Sequence, residues 1–195
     1  MSDKINDFNI IQLIPRLGDI YSDFTLTFSD PIRSISVKAH RNVLAWLVPY
    51  FDKLFTFADN LQKKEFNITV EDAAVAELFI QSLYGQRIDF TSGCYRDRDF
   101  LCCSLEHKKS TFCYNFLHLC KLRSYFCLDV DLKKLYQVKV TEENFDLFLQ
   151  VVNLPEIELN RRLIRTIKRN LPKDYEWEGI NEEFKQEVMR KNTNV

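Results

Sequence analysis

The residues best suited to chemistry fall in one third of the chain. Cys102, Cys103, His107, Cys113, His118 and Cys120 supply enough thiolates and imidazoles for a tetrahedral zinc site. Their spacing argues against one. No Cys-x-x-Cys pair occurs, and Cys113, Cys120 and Cys127 recur every seven residues, on one helix face beside Phe116 and Leu117. Buried cysteine behaves as a small hydrophobe, so core packing is the preferred reading. Metal binding by this segment is the alternative, with redox roles open to Cys94, Cys102 or Cys103.

Nucleophilic catalysis needs a Cys or Ser within reach of an imidazole that a carboxylate orients. Asp23 and His40 can meet across a hairpin, but no nucleophile is aimed at them, so His40 is expected to orient a turn. Gly18, Gly85, Gly93 and Gly179 are the only glycines and write no phosphate-cradling loop. The basic block NRRLIRTIKRNLPK sets Arg161, Arg165, Lys168 and Arg169 opposite Ile164, Ile167 and Leu171, as a solvated helix face does. No aromatics interleave for base stacking, so a solvated face is the preferred reading, with contact to nucleic acid or an acidic partner as the alternative. These readings point to a non-enzymatic protein with no cofactor, no catalytic residue and no small-molecule substrate.

The elements that carry these residues follow from periodicity. Phe24, Leu26 and Phe28 alternate with Thr25, Thr27 and Ser29, which predicts a half-buried strand over Asp23 to Ser29. After the turn-prone Ser29-Asp30-Pro31, Ile35, Val37 and Ala39 continue a hairpin. Asn42 opens a short helix, Pro49 ends it, and Tyr50 to Phe57 forms a second. Phe66, Ile68 and Val70 give a third strand, and Asp72 caps a helix that Gly85 ends.

Residues 91–110 hold no sustained period and read as an inserted loop, whereas Phe112 to Leu128 reads as a buried helix with a wet stripe through Asn115, His118, Lys121 and Ser124. Asp131 to Tyr136 is a short helix, and Thr141 to Leu154 opens with Thr141 as cap and Asn144 reaching back. Further helices cover Glu158 to Leu171 and, more polar, Asn181 to Lys191. A few strands followed only by helices is an α+β order.

Charge is balanced, 27 basic against 28 acidic side chains, so the chain as a whole is not drawn to polyanions. No apolar run reaches a membrane span, and polar Asp3, Asn6, Asp7 and Asn9 break any signal-peptide core, which gives an intracellular expectation, cytoplasm or nucleus.

The hairpin ending in Ala-His, then helix, proline, aromatic pair and second helix, resembles the BTB/POZ family. The matching residues are Asp23, then His40-Arg41-Asn42-Val43-Leu44-Ala45, then Tyr50-Phe51-Asp52-Lys53-Leu54-Phe55. FNITVED, FIQSLYGQRID and FLHLCKLRSYFCLD continue the likeness, and the composition is similar to that of BTB proteins encoded by large DNA viruses. The resemblance implies a small three-stranded sheet flanked by helices over residues 1–137, with an insert at about 91–110. A helical extension over 138–195 would then resemble the start of a BACK-like region.

It further implies a protein–protein interaction module, often a homodimer and scaffold, which in many members is a substrate adaptor for a cullin-based ubiquitin ligase. The apolar residues Ile10, Ile11, Leu13, Ile14 and Leu17 would suit a dimer-forming arm or packing within the chain. Asp23, His40, Leu44, Ala45, Tyr50, Phe51, Leu54 and Phe55 are its structural residues. Phe57, Leu61, Lys63, Trp46 and Leu47 are the candidate partner contacts. Cullin-binding members usually carry Glu where this chain has Lys63, and the reversed charge would cost on the order of 1 kcal/mol if the loop docks as in the family.

Overall fold

The computed structural model describes residues 21–57, 60, 62–85, 105–177 and 180–190. These divide into two compact units, 21–85 with Tyr125–Leu128, and 105–124 with 129–190. It is a mixed α+β architecture with a three-stranded sheet, as the periodicity predicts.

The first unit is built on β1 (Phe24–Ser29), whose Phe24, Leu26 and Phe28 are buried while the alternate hydroxyl residues remain partly open. Strand β2 (Ser34–Ala39) pairs with it antiparallel, setting Phe24 opposite Ala39 and Phe28 opposite Ile35. On the outer face Thr27 meets Ser36 at 2.9 Å and Ser29 meets Ser34 at 2.8 Å, pairs that pin the register. Strand β3 (Glu65–Thr69) joins the other edge of β1 in parallel, giving the order β2-β1-β3.

Between β2 and β3 lie α1 (Arg41–Leu47) and α2 (Pro49–Thr56). Val48 separates them in an extended conformation because the residue before proline is pushed out of the helical region, and Pro49 then fits the first turn of α2 without needing an N–H partner. Proline here starts a helix as much as it stops one. Leu44, Val48, Phe51 and Phe55 are buried.

Helix α3 (Ala73–Leu83) starts on Asp72, which accepts from the N–H groups of Ala74 and Val75, and Gly85 follows its end at φ 77, a left-handed position glycine takes without strain. Asp30 ties the hairpin to this helix, accepting from the backbone N–H groups of Ile32, Arg33 and Ala73. Arg33 bridges it to Asp72, at 3.3 Å and 2.9 Å. Burial alone would raise the Asp30 pKa, but these donors prevail and hold it at about 2.

In the second unit α4 (Leu105–Tyr125, whose last residue belongs to the first unit) is followed by α5 (Leu132–Leu135), a 3-10 turn (Glu142–Asn144), α6 (Phe145–Val152), α7 (Arg161–Asn170) and α8 (Glu182–Arg190). Phe116, Leu117, Leu135, Phe145, Phe148, Leu149, Leu163 and Ile167 belong to one core cluster. Asn144 accepts from the N–H of Thr141 at 2.9 Å, the predicted reach-back.

Three local expectations are corrected. Helix begins at Leu105, so the segment read as loop to 110 ends in helix, while 91–104 lie outside the described residues. Cys127 falls beyond α4 with φ 58 and is exposed, so only Cys113 and Cys120 share the buried face. Asn115 is buried rather than wet. Among the described residues no helix is long and apolar enough to cross a membrane.

A candidate interaction surface around Arg41

The first unit's polar and aromatic groups converge where α1 begins. Asp23 does not meet the His40 ring; its carboxylate accepts from the backbone N–H of Arg41 at 2.9 Å, capping α1 from eighteen residues upstream. The N–H of His40 donates to the Tyr84 hydroxyl at 2.8 Å, with the His40 ring 3.4 Å from the same oxygen. Burial, with the Asp23 charge adding to it, raises the Tyr84 pKa despite the donor from His40, so Tyr84 stays a neutral strut. The pair orients the strand-to-helix turn and aims no base at a nucleophile.

The Arg41 side chain, which sequence reasoning did not single out, organises the rest. Its guanidinium lies 5.2 Å from the ring centre of Phe24 and 4.8 Å from that of Phe55. It donates to the carbonyls of Asn60, at 3.2 Å, and Lys63, so it holds both sides of the link between α2 and β3. Only a planar fork can stack on rings and serve two carbonyls together. A lysine has no such geometry.

Asn60 completes the latch. Its amide donates to the Leu54 carbonyl at 2.9 Å and its side-chain oxygen accepts from the Lys63 ammonium at 3.0 Å. That ammonium also lies 5.2 Å from the Phe66 ring centre. Lys63 is therefore held by its own chain, through a neutral amide and a ring that leave its positive charge in place. Lys64 returns the chain to the sheet by accepting at its carbonyl from the N–H of Thr25 at 2.9 Å.

Around this latch the predicted residues separate into buried and presented sets. Leu44, Phe51 and Phe55 are core, and Ala45 and Leu54 are half-buried. Tyr50 is half-buried, edge-on to Phe51 and Phe126 and tilted against Tyr125, and burial together with its hydroxyl contact to Tyr125 at 3.3 Å pushes its pKa to about 12. Trp46 is 71% exposed and Phe57 is 66% exposed, while Leu47 is half-buried. Leu61 lies outside the described residues.

No metal-ligating cluster is present among the described residues. Cys94, Cys102 and Cys103 fall outside them. Burial pushes the Cys120 thiol up to about 12, against the pull of Arg123, which suits packing and not nucleophilic or ligand chemistry.

The BTB/POZ domain family model matches residues 15–106. The chain is 29% identical over 178 residues to a BTB/POZ domain and WD-repeat protein of Acanthamoeba polyphaga mimivirus, covering 91% of this chain and 32% of that protein. A BTB/POZ domain-containing protein of the same virus is 25% identical over 183 residues, covering 94% of this chain and 21% of its own length. Another is 25% identical over 182 residues, covering 90% and 62%. The chain thus spans a fifth to a third of the first relatives named here and under two thirds of the last. BTB/POZ domains are in general protein–protein interaction modules. Sheet order, the paired helices around Pro49 and these matches lead to one statement: this chain carries a BTB/POZ domain.

Proposed function

We propose that the chain is a non-enzymatic interaction module that forms a homodimer and serves as a scaffold, with its BTB/POZ domain over 1–137 and a helical extension over 138–195. The observation that carries this reading is that Trp46 and Phe57, the large aromatic side chains without a hydroxyl among the exposed rings of the first unit, are left in water, with the tyrosines Tyr21 and Tyr125 also open and the remaining rings mostly buried. Transfer of such side chains from water is worth about 1.5–3 kcal/mol each, so their exposure is a cost that a partner surface removes. Leu47, Leu61 and Lys63 accompany them as proposed contacts.

The Arg41 latch supports the same reading, since a connection fixed by its own chain loses little entropy on docking. The protein is expected to act inside the cell, in cytoplasm or nucleus, on protein partners and without a membrane or nucleic acid. Relatives that join this region to WD repeats suit a module that brings a separate recognition domain to a scaffold.

Recruitment of a cullin as a ubiquitin-ligase adaptor is the finer form of this proposal, and Lys63 is the residue that decides it. Sedimentation velocity of wild type and of a Trp46→Ser/Phe57→Ser variant, with pull-down of a purified cullin N-terminal region, tests both levels. At about 0.5 M salt, where charge contacts are screened, self-association lost in the variant supports the dimer, and retained association removes the role of these two side chains. Cullin recovery that improves with Lys63→Glu supports the adaptor form, and no recovery by either protein removes it.

A further inference from the structure

The second unit carries an uncompensated cationic stripe. Arg161, Arg165 and Arg169 stand at i, i+4 and i+8 on α7, all exposed, and none makes an ion pair, hydrogen bond or ring contact with a described residue. The neighbouring Arg162 is by contrast satisfied, lying 4.8 Å over the Tyr136 ring and donating to the Tyr136 carbonyl. Like charges at i and i+4 repel twice along the stripe, and Arg161 sits in the first turn, where the helix dipole disfavours a cation and no acidic residue offsets it. The helix bears this arrangement without relief from its own unit.

The same unit carries the opposite surface. A groove of about 430 Å³ is lined by Asp146, Asp174 and Glu176, with the Tyr175 ring and apolar Pro172 and Ile180. None of the three carboxylates has an ion-pair partner among the described residues. Tyr175 is braced edge-on by Phe145 at 5.1 Å and by Trp177 at 5.5 Å. Burial, the hydrogen bond to Asp146 and the Asp146 charge push its hydroxyl to about 12, so the ring stays neutral. Lys121, which donates to Gln150 at 2.7 Å, is the described cation that reaches a residue of the groove wall.

A groove lined by a neutral aromatic ring, carboxylates and apolar carbons fits a guanidinium on an alkyl stem. The stripe spans about 12 Å along its helix, enough to set one arginine over Tyr175 and its neighbours on the rim. Three arginines are few for a nucleic-acid backbone, and the groove's own carboxylates would repel one. The charge that complements each surface is present in the other.

We propose that the helical unit self-associates through a second copy of this chain, the α7 stripe of each copy seated in the acidic groove of the other. Such a contact is reciprocal and closes with two-fold symmetry. It is separate from association through Trp46 and Phe57, which is apolar and persists in salt.

The test is a charge swap on the full chain, read by sedimentation velocity at low salt and at about 0.5 M salt. Wild type is expected to show a larger species at low salt that dissociates at high salt, with its Kd rising at least about tenfold. Arg161→Glu/Arg165→Glu/Arg169→Glu and, separately, Asp174→Lys/Glu176→Lys should each lose that species, and mixing the two variants should restore it in one-to-one proportion. Arg161→Glu suits the start of α7 and Arg169→Glu opposes the dipole at its end, two small effects of opposite sign on exposed positions, so the first variant is expected to fold, checked by circular dichroism. If a variant misfolds, Arg165→Ala replaces it with a smaller rise in Kd expected. No salt-dependent species in wild type, or no recovery on mixing folded variants, overturns the proposal. Loss of association in the Trp46/Phe57 variant leaves this contact intact, so the two proposals fail separately.

Discussion

Arg41→Ala tests the latch that closes the connection between α2 and β3. The change removes two ring contacts, at 4.8 and 5.2 Å, and two charge-assisted hydrogen bonds to the carbonyls of Asn60 and Lys63. Hydrogen bonds from charged groups contribute about 1.5–3 kcal/mol each and cation–π contacts about 0.5–1 kcal/mol at exposed sites. The freed carbonyls can turn to water, so the net loss is about 2–3 kcal/mol, borne by the connection between α2 and β3. Amide hydrogen exchange reads that loss locally. The N–H groups of Asn60 and Lys63, bonded to the Phe57 and Asn60 carbonyls, should exchange roughly 30- to 140-fold faster than in wild type. Arg41→Lys keeps the charge without the fork and should fall between. Exchange within about threefold of wild type in a folded Arg41→Ala protein would show that the connection is held by other means.

Asp30→Asn should remove on the order of 1–2 kcal/mol of stability at neutral pH, because the folded carboxylate titrates at about 2, below its unfolded value of 3.8. That contribution is fully present above 3.8 and is lost as pH falls through 2, so urea midpoints of the two proteins should converge over that window. Phe51→Ala, which empties a fully buried site, should cost about 3–5 kcal/mol in the same assay, whereas Phe57→Ala at its exposed site should move it by about 0.5 kcal/mol or less. An alkylating probe at neutral pH should label exposed Cys127 and spare Cys120 until the chain unfolds. Equal labelling of both would contradict the buried packing of α4.

Sequence reasoning recovers the elements whose signals are local. Alternation places β1 and β2, Asp72 and Gly85 mark the ends of α3, and the Pro49 bend follows from proline's fixed φ and missing donor. It does less well where the partner is remote. Asp23 caps α1 across eighteen residues, and Arg41 closes on carbonyls nineteen and twenty-two residues away, separations no periodicity encodes. Asn115 reads as wet because an amide commonly faces water, yet tertiary packing buries it. Cys127 keeps the heptad spacing of Cys113 and Cys120 but lies past the helix end, where a left-handed residue takes it off their face. Trp46 and Phe57, on which the functional reading rests, are candidate contacts from the sequence, but their exposure depends on tertiary packing that periodicity does not encode.

Sedimentation equilibrium of the full chain at about 0.5 M salt, where charge contacts are screened, tests the interaction-module account most directly. The account predicts a dimer for wild type and a monomer for the folded Trp46→Ser/Phe57→Ser protein. A wild-type protein that is monomeric throughout, or a variant that dimerises as wild type does, would contradict it.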